Sequence, residues 1–453
     1  MVVNDTEKVP TLTPDAARRE LPYAVMDVLL GAPLIKDYFE TDAVGIAAVH
    51  TQWALSAVDF ETVQGVVDEI RGELNMVNLY DARELMRVHR IASRKVDQAR
   101  NFLEGTPNPK MIAMLKDNTG SGWWRMMLPS RHMDIPNCRI DITDAAIDFD
   151  QLLEYDTIFV QRTHTWDGYY ALQRLASAGK RIVYDIDDDM FNITPDNPSY
   201  GQITRDDQRA AAACMKLADV VTTTTARLAQ RLAGVVNGVN PVVIPNSMDT
   251  QDNWLPWVAT GSPDEWKRLF WSGGASHAED WMECFGAVEA VMKARDDVRL
   301  VIMGYLPPVV QYSISKPHFA GRIEYVGFEH PETYYEMIHH VRADVALAPL
   351  RPTEFNGCKS AIKFLEYSLI GIPTVASDTP PYSDVIEDKK NGRLVSGEDE
   401  WVKAINFLLD KDSKRRDMVK EARSTCEGMY DIKSYAQRWE NVLTGSSDEV
   451  GNH

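Results

Sequence analysis

Apolar and polar residues follow different periods in successive zones of the chain. In residues 1–105 the apolar positions recur at helical spacing with no strand pattern, as in the set Val63, Val66, Val67, Ile70 and Leu74. Two prolines and a glycine then interrupt the pattern within residues 105–109. The first zone is therefore predicted to be a helical extension.

From residue 110 the pattern changes to short apolar runs that alternate with amphipathic segments. The apolar runs predict strands at residues 111–116, 157–161, 181–185, 219–223 and 242–244. The segments between them predict helices at residues 167–178, 206–217 and 225–233. Strands that alternate with helices indicate βαβ units and a parallel sheet.

A second alternating series begins at Arg268. It predicts strands at residues 269–272, 299–303, 323–326, 345–348 and 374–376, and helices at residues 278–294, 331–341 and 358–370. The predicted fold class is therefore α/β, with Rossmann-like domains at residues 106–250 and 251–430 and a closing helix and tail at residues 431–453. Ligands of open parallel sheets bind beyond the carboxyl ends of the strands, so we expect a cleft between two facing domains.

The predicted helix at residues 358–370 carries three charged side chains on one face. Lys359, Lys363 and Glu366 stand at positions i, i+4 and i+7. A helix start that follows a strand favours anions, so two ammonium groups there suit a diphosphate. A carboxylate two turns in can accept hydrogen bonds from ribose hydroxyls. The alternative interpretation is a solvated face with Lys–Glu ion pairs.

Two loops of the second predicted domain are further candidates for nucleotide contact. Gly273 and Gly274 follow its first strand, where glycine lets the backbone approach a phosphate, and Ser276 and His277 add donors. An ordinary tight turn is the alternative. Phe328 follows the third strand, where a nucleobase is expected to lie against an aromatic ring.

Carboxylates and a histidine follow strand ends in the first predicted domain. Asp187 lies in the acidic segment 185–189, which could hold Mg²⁺ or Mn²⁺, supply a base, cap turns or bind acceptor groups. His164 follows the strand at 157–161 and could act on a hydroxyl, because its ordinary pKa is near neutrality. A lone histidine is more often structural.

Residues 120–125 superficially match the GxGxxG pattern of dinucleotide-binding loops. Arg125 occupies the third glycine position, and no clean acidic partner follows on a second strand about 20 residues later. We therefore reject a nicotinamide site. The expectation is a flexible glycine loop that faces the cleft and contacts the sugar or the acceptor.

Composition narrows the class of protein. A net charge of -19 over 453 residues argues against a generic nucleic-acid binder. The five cysteines are scattered and form no CxxC pair, which fits a reducing compartment. The first residues do not read as a signal peptide, and no uncharged apolar run approaches the roughly 20 residues of a membrane span. We expect a cytoplasmic protein.

Taken together, these motifs resemble those of GT-B glycosyltransferases, close to the nucleotide-sugar-dependent family-4 type, over residues 110–440. The most specific matches are residues 356–360 with Lys363 and Glu366, and residues 371–377. The resemblance implies that the second domain binds a nucleotide-diphospho-sugar, such as a UDP- or GDP-sugar, and the first domain an acceptor. Glu366 would bind the ribose, while Lys359 and the loop of Gly273 and Gly274 would meet the diphosphate. Ser360 is a further candidate for contact with the donor. No cofactor or metal is implied beyond the donor.

One position departs from the family pattern. Such enzymes typically carry a Glu eight residues before the ribose-binding Glu, and here that position is Cys358. The nearest upstream carboxylate, Glu354, stands at a different spacing. The departure concerns the contacts to the donor sugar and bears on the retaining stereochemistry that the family implies.

The sequence thus predicts a hexosyl- or pentosyltransferase that moves a sugar to an acceptor hydroxyl with retention. Lys359 would stabilise the leaving diphosphate, and His164 or Asp187 would be the base if the reaction inverts. The alternatives are a non-catalytic GT-B module that binds a nucleotide sugar or scaffolds a partner, and a phosphorylase or epimerase. The acceptor, whether glycan, lipid, protein or modified nucleic acid, is left open. The N-terminal helices are a candidate surface for homo-oligomers.

Overall fold

The computed structural model describes residues 111–117, 120–133, 138–142, 149–195, 197, 200–250, 264–327 and 331–446. The helical extension predicted for residues 1–105 lies outside the described residues. Over the rest of the chain, two parallel sheets with flanking helices confirm the predicted α/β class.

The first sheet has six parallel strands in the order β2-β1-β3-β4-β5-β6. Its strands are β1 Met111–Leu115, β2 Cys138–Ile142, β3 Thr157–Gln161, β4 Arg181–Ile186, β5 Val220–Thr223 and β6 Val242–Val243. The strand β2 was not predicted. It is an edge strand in which polar residues alternate with apolar ones, so it lacks the continuous apolar run of the buried strands.

The second sheet also has six parallel strands, in the order β12-β11-β10-β7-β8-β9. Its strands are β7 Lys267–Gly273, β8 Val298–Gly304, β9 Ile323–Val326, β10 Val345–Ala348, β11 Thr374–Ser377 and β12 Arg393–Val395. The strand that was not predicted, β12, is again at an edge of its sheet. It has three residues, of which only one is buried, so it lacks a continuous apolar run.

Helices cover the sheets and end the described chain. Apart from a single helical turn at Leu128–Ser130, they are α1 Phe149–Leu152, α2 Trp166–Ser177, α3 Arg205–Leu217, α4 Ala226–Val235, α5 Phe285–Ala294, α6 Pro308–Gln311, α7 Pro331–Val341, α8 Glu354–Gly357, α9 Ile362–Ile370, α10 Glu398–Asp410, α11 Asp412–Met429 and α12 Lys433–Thr444. No helix in this part of the chain is long and apolar enough to cross a membrane.

Two predicted helices differ from the structure at their starts. The helix predicted from residue 278 begins at Phe285, as α5, because Glu279–Glu283 forms a 3₁₀ helix that follows another at Ala275–His277. The helix predicted at residues 358–370 begins only at Ile362, as α9, so Lys359 lies before it in the connection that follows α8. Gly357 is a weak helix former, and the Cys358 carbonyl accepts a hydrogen bond from Thr225 of the first domain rather than from a helical amide.

The segment after β1 is a π-helix, Trp123–Met127, rather than an open glycine loop. The Asp117 carboxylate accepts hydrogen bonds from the amides of Gly120 and Gly122 at 2.7 and 3.2 Å. A Cβ on Gly122 would lie 1.8 Å from the Asp117 carbonyl oxygen, so only glycine fits there. The expectation of a flexible loop is replaced by a turn that is tied to the end of β1.

Arg125 projects from this π-helix into the core, where its side chain is fully buried. Its Nε and Nη2 donate to Asp185 Oδ1 at 3.1 and 2.8 Å, and its Nη1 donates to the Ile244 carbonyl and to Asn246 Oδ1. Thr222 donates to the same carboxylate at 2.7 Å. One guanidinium therefore ties the ends of β1, β4 and β5 to the segment that leaves β6.

The last helix, α12, returns to the first domain. Thr157 donates to the Leu443 carbonyl at 3.0 Å, and the rings of Phe159 and Trp439 meet edge to face at 6.0 Å. The Arg125 guanidinium lies 4.9 Å from the Trp439 ring centroid. The first domain is therefore completed by residues from the far end of the chain.

Replacing Arg125 by Met should destabilise the protein by about 3–5 kcal/mol, because the Asp185 carboxylate would stay buried without its partner. Urea unfolding followed by tryptophan fluorescence measures the effect. The matched control is Arg416→Met, which removes an exposed partner of Asp412 and should cost about 0–1 kcal/mol. Equal losses in both variants would contradict this role of the buried pair.

Candidate active site

A cavity of about 450 Å³ lies where the carboxyl edges of the two sheets meet. The first domain contributes Gly120, Ser121, Trp124, Arg162, Asp187 and Asp188, and Asn246 comes from the segment that leaves the first sheet. Of the residues predicted for the nucleotide, the lining includes Gly273, Gly274, His277, Lys359, Ser360, Lys363 and Glu366.

One predicted residue of the described chain is not part of this lining. His164 is absent from it, and its Nδ1 lies 2.7 Å from the Arg162 carbonyl oxygen. Phe328 lies outside the described residues. Asp187 is the predicted first-domain residue that the structure brings to the cavity.

Glycines let the ends of two strands approach each other at the cavity. A Cβ on Gly273 would lie 2.7 Å from the Trp271 ring and 3.0 Å from Lys363 Nζ. Gly304, at the end of β8, has a φ of +90°, and a Cβ there would lie 2.6 Å from the Gly273 carbonyl oxygen. Neither position accommodates a larger residue without a shift of its neighbours.

Lys363 and Glu366 are two buried ionisable residues in the first turns of α9. Lys363 is 6% exposed, lies over the Trp271 ring at 5.6 Å and forms no ion pair with the described residues. Burial, with the nearby Lys359 charge, lowers its pKa to about 8, and Glu366 opposes this shift. The ammonium groups of Lys359 and Lys363 therefore line the same cavity, and neither has a carboxylate at contact distance among the described residues.

Glu366 is held by a chain of hydroxyl groups. Tyr334 donates to Glu366 Oε2 at 3.0 Å, and the Tyr334 hydroxyl lies 2.5 Å from Ser272 Oγ. Burial raises the pKa of Glu366 to about 7, while Lys363 and the Tyr334 hydrogen bond act in the other direction. Near neutral pH its carboxyl can therefore both accept and donate hydrogen bonds.

His277 forms a hydrogen-bonded pair with Asp280 beside the glycine loop. Its Nδ1 lies 2.7 Å from Asp280 Oδ2. Burial and the positive charges of Lys359 and Lys363 lower the pKa of His277 to about 3, so the imidazole is neutral at physiological pH. Burial opposes ionisation of Asp280, but the hydrogen bond from His277 lowers its pKa. The carboxylate therefore accepts from Nδ1–H, which leaves Nε2 as an acceptor.

The second oxygen of Asp280 joins the glycine loop to the segment before α9. Asp280 Oδ1 accepts hydrogen bonds from the Arg351 amide and from Asn356 Nδ2, both at 3.0 Å. Lys359 follows this segment, and its Nζ lies 5.1 Å from the Phe355 ring centroid. The two loops that carry the predicted phosphate contacts are thus held together by one carboxylate.

Arg162 is a cavity residue that the sequence analysis missed. It has a φ of +52°, a left-handed conformation that is uncommon outside glycine. Its Nε lies 3.1 Å from Asp187 Oδ1, and its other nitrogens lie 3.7 Å from Asp117 Oδ2 and 3.9 Å from Asp188 Oδ2. Burial opposes its charge, but these carboxylates together raise its pKa. Its position directly after β3 could have identified it as a site residue, because ligands bind beyond the carboxyl ends of parallel strands.

Asp187 has a shifted pKa and belongs to the first-domain wall, by which we mean the first-domain residues that line the cavity. Burial raises its pKa to about 6, although Arg162 acts to lower it. Asp189 is separate from this group, because it pairs with Arg231 at 3.0 Å. Within the described ranges, no three His, Cys, Asp or Glu side chains are grouped to hold a metal ion.

The turn between α8 and α9 is a contact between the two domains. Thr225 donates to the Cys358 carbonyl at 2.8 Å, and Asn246 Nδ2 donates to Ser360 Oγ at 3.0 Å. The Cys358 side chain is buried in an apolar cluster of the first domain, where burial raises the pKa of its thiol to about 11. The position where the family pattern has an acid therefore holds a neutral thiol.

Comparison with known protein families gives a match in the second domain. Residues 267–425 match the model of a family described as glycosyl transferases group 1. No curated protein sequence matches the chain significantly. The match covers β7 through most of α11, which includes the glycine loop, the Lys359 turn and α9.

Solved structures resemble most of the chain. HepE of Anabaena, in complex with UDP and glucose, has a TM-score of 0.56 and 14% identity over 74% of this chain and 100% of its own. Sucrose-phosphate synthase of Thermosynechococcus elongatus has a TM-score of 0.56 and 13% identity over 74% of this chain and 98% of its own. The chain has the GT-B fold, as its sequence predicts. Within its second domain, residues 267–425 are similar to the glycosyl transferases group 1 family.

The raised pKa of Glu366 predicts a pH-dependent stability. Between its ordinary pKa of 4.5 and about 7, the folded protein keeps a proton on Glu366 that the unfolded chain has lost. The free energy of unfolding contributed by this group therefore falls as pH rises through this window. Lys363, with a pKa of about 8, is charged in both states there and adds no slope.

Glu366→Gln should flatten this part of the stability profile and raise stability at pH 7 relative to wild type. Urea unfolding from pH 4.5 to 8 measures both effects. Glu354→Gln, at an exposed carboxylate of the same domain, controls for the substitution itself. A Glu366→Gln variant with the wild-type profile would contradict the assignment.

Proposed function

We propose that the protein is a glycosyltransferase that moves a sugar from a nucleotide-diphospho-sugar to an acceptor hydroxyl. The observation that carries this proposal is the Lys363 ammonium beside Gly273, which forms no ion pair with the described residues, with Glu366 one turn further along α9. This arrangement suits a diphosphate followed by a ribose. The group 1 family match and the UDP in HepE support a UDP-sugar as donor.

In this proposal the second-domain wall binds the donor. Lys359 and Lys363 would contact the diphosphate, and Gly273 and Gly274 would let it approach the backbone at the end of β7. A bound dianion would also restore the full charge of Lys363, because an opposite charge offsets the burial that lowers its pKa. Glu366, oriented by Tyr334, would bind the ribose hydroxyls.

The same groups would assist bond cleavage. Negative charge grows on the diphosphate as the glycosidic bond breaks, and ammonium groups placed there stabilise this change more than they stabilise the ground state. His277 is neutral and presents an acceptor nitrogen, so it suits a sugar hydroxyl better than a phosphate oxygen.

The first-domain wall would receive the acceptor. We propose a retaining reaction, in which a diphosphate oxygen takes the proton of the attacking hydroxyl. If the reaction inverts, Asp187 is the favoured base, because it lines the cavity and its pKa of about 6 leaves it ionised near neutral pH. His164 is less favoured, since it is not part of the lining.

A second candidate function is a non-catalytic module that binds a nucleotide sugar. The neutral thiol of Cys358, buried between the domains where the family pattern has an acid, favours it. Release of UDP from a panel of UDP-sugars separates the two functions. Turnover in the wild-type protein supports the enzyme, whereas tight binding without turnover supports the module.

Glu366→Ala should weaken binding of UDP at least tenfold, because the ribose loses its carboxylate partner. Isothermal titration calorimetry with UDP measures this dissociation constant. Glu354→Ala removes an exposed carboxylate of the same domain and should bind UDP as wild type does. Wild-type affinity in the Glu366→Ala variant would argue against the proposed ribose contact.

Lys359→Ala should lower the rate of UDP-sugar hydrolysis or transfer by about 10²-fold, because the variant lacks an ammonium group that would stabilise the leaving diphosphate. Initial rates of UDP release measure the effect, with Lys390→Ala on the exposed surface as the control.

Asp187→Asn should act differently: it should lower transfer to an acceptor by about 10²–10⁴-fold only if the reaction inverts. Anomeric configuration of the product, read by NMR, decides between the two courses.

A further inference from the structure

Three aromatic rings cluster at the start of α2, outside the cavity: Tyr169 packs against the core of the first domain, and the other two rings are exposed. The ring centroids of Trp166 and Tyr169 are 5.6 Å apart, those of Trp166 and Tyr170 are 6.3 Å apart, and those of Tyr169 and Tyr170 are 5.5 Å apart. Trp166 is 36% exposed and Tyr170 55%. We call these three residues the aromatic platform.

The platform stands close to the acceptor side of the cavity. Arg162 lines the cavity at the end of β3, and Trp166 follows only four residues later, so their Cα atoms lie within about 14 Å. Thr165 caps the first turn of α2 by accepting a hydrogen bond from the Gly168 amide at 3.1 Å. The platform is therefore fixed at the carboxyl edge of the first sheet, the edge that carries Asp187.

The orientation of the tryptophan is set by a polar contact. Trp166 Nε1 donates to Asp206 Oδ2 at 2.9 Å, across from α2 to the first turn of α3. One edge of the indole is thereby fixed, while part of its apolar surface stays in contact with water. An aromatic ring that is held in this way loses little conformational freedom when a ligand stacks on it.

The charges around the platform point to an uncharged ligand. Asp167, Asp206 and Asp207 are nearly balanced by Arg205 and Arg209, and Asp206 lies 3.7 Å from Arg209. A polyanion would need clustered basic groups, which this surface and a chain of net charge -19 do not offer. The carboxylates beside the rings can instead accept hydrogen bonds from hydroxyl groups.

We propose that the aromatic platform binds a neutral saccharide chain, part of the acceptor whose terminal hydroxyl reaches the cavity. The apolar faces of sugar rings would stack on Trp166 and Tyr170, and their hydroxyls would reach the flanking carboxylates. This inference rests on the proposed function and names its acceptor class as a neutral glycan, in place of a lipid, a protein or a nucleic acid.

Affinity electrophoresis of the full chain tests the platform directly. The gels contain a soluble neutral glucan, mannan or galactan, with polyphosphate as the polyanionic comparison. At least one neutral polymer should retard the wild-type protein, and Trp166→Ala combined with Tyr170→Ala should weaken that retardation at least tenfold. Tyr312→Ala, at a tyrosine of the second domain that is 83% exposed, should behave as wild type.

A ring-preserving variant separates stacking from a structural role of the tryptophan. Trp166→Phe loses the bond to Asp206 but keeps an aromatic face, so it should retain binding within about threefold. Absence of retardation by every neutral polymer, retardation by polyphosphate alone, or an unchanged double alanine variant would each overturn the proposal. UDP binding, measured separately, tests the proposed function. A wild-type protein that is retarded by a glycan but does not bind UDP would overturn that function and leave the platform as a glycan site only.

Discussion

The buried contact between Arg125 and Asp185 is the constraint on which the geometry of the cavity depends. It joins the π-helix after β1 to the end of β4, and the same guanidinium reaches the segment that leaves β6. Asn246, which Arg125 orients through its Oδ1, uses its Nδ2 to contact Ser360 in the second domain. A buried ion pair gains little net stability over an apolar pair, so we attribute its value here to the arrangement that it imposes.

Charge is distributed unequally between the two walls that this arrangement brings together. The second-domain wall presents Lys359 and Lys363, whereas the first-domain wall presents Asp187 and Asp188 around Arg162. Burial moves the pKa values of Lys363 and Glu366 toward each other, to about 8 and about 7, because neither charge is solvated by water. Under the proposed function, the wall with incompletely compensated positive charge would receive the diphosphate, and the opposite wall would receive the acceptor hydroxyl.

Much of the fold follows from local sequence pattern, and much of the site from topology. The buried strands were predictable because parallel strands covered on both faces are continuously apolar, whereas the edge strands β2 and β12 are not. Asp187 and Gly273 were predicted as site residues because they lie at strand ends, and the carboxyl ends of parallel strands share one edge of the sheet. The break before α9 was not predictable, because it follows from a hydrogen bond between Thr225 and the Cys358 carbonyl, which are distant in the chain. Arg162 was missed for a similar reason: its role arises from carboxylates on separate segments of the chain.

The contact at Cys358 also explains why an acid is absent from that position. Its side chain belongs to the apolar cluster that contains Leu228 and Leu232, where an unpaired carboxylate would be costly to bury. The contact that positions the turn uses the Cys358 carbonyl, which any residue supplies. The side chain is therefore selected by packing between the domains, and it does not line the cavity. Under the proposed function, discrimination of the donor sugar would rest on groups that do line it. His277 is one of these, with a neutral ring whose orientation is fixed by Asp280.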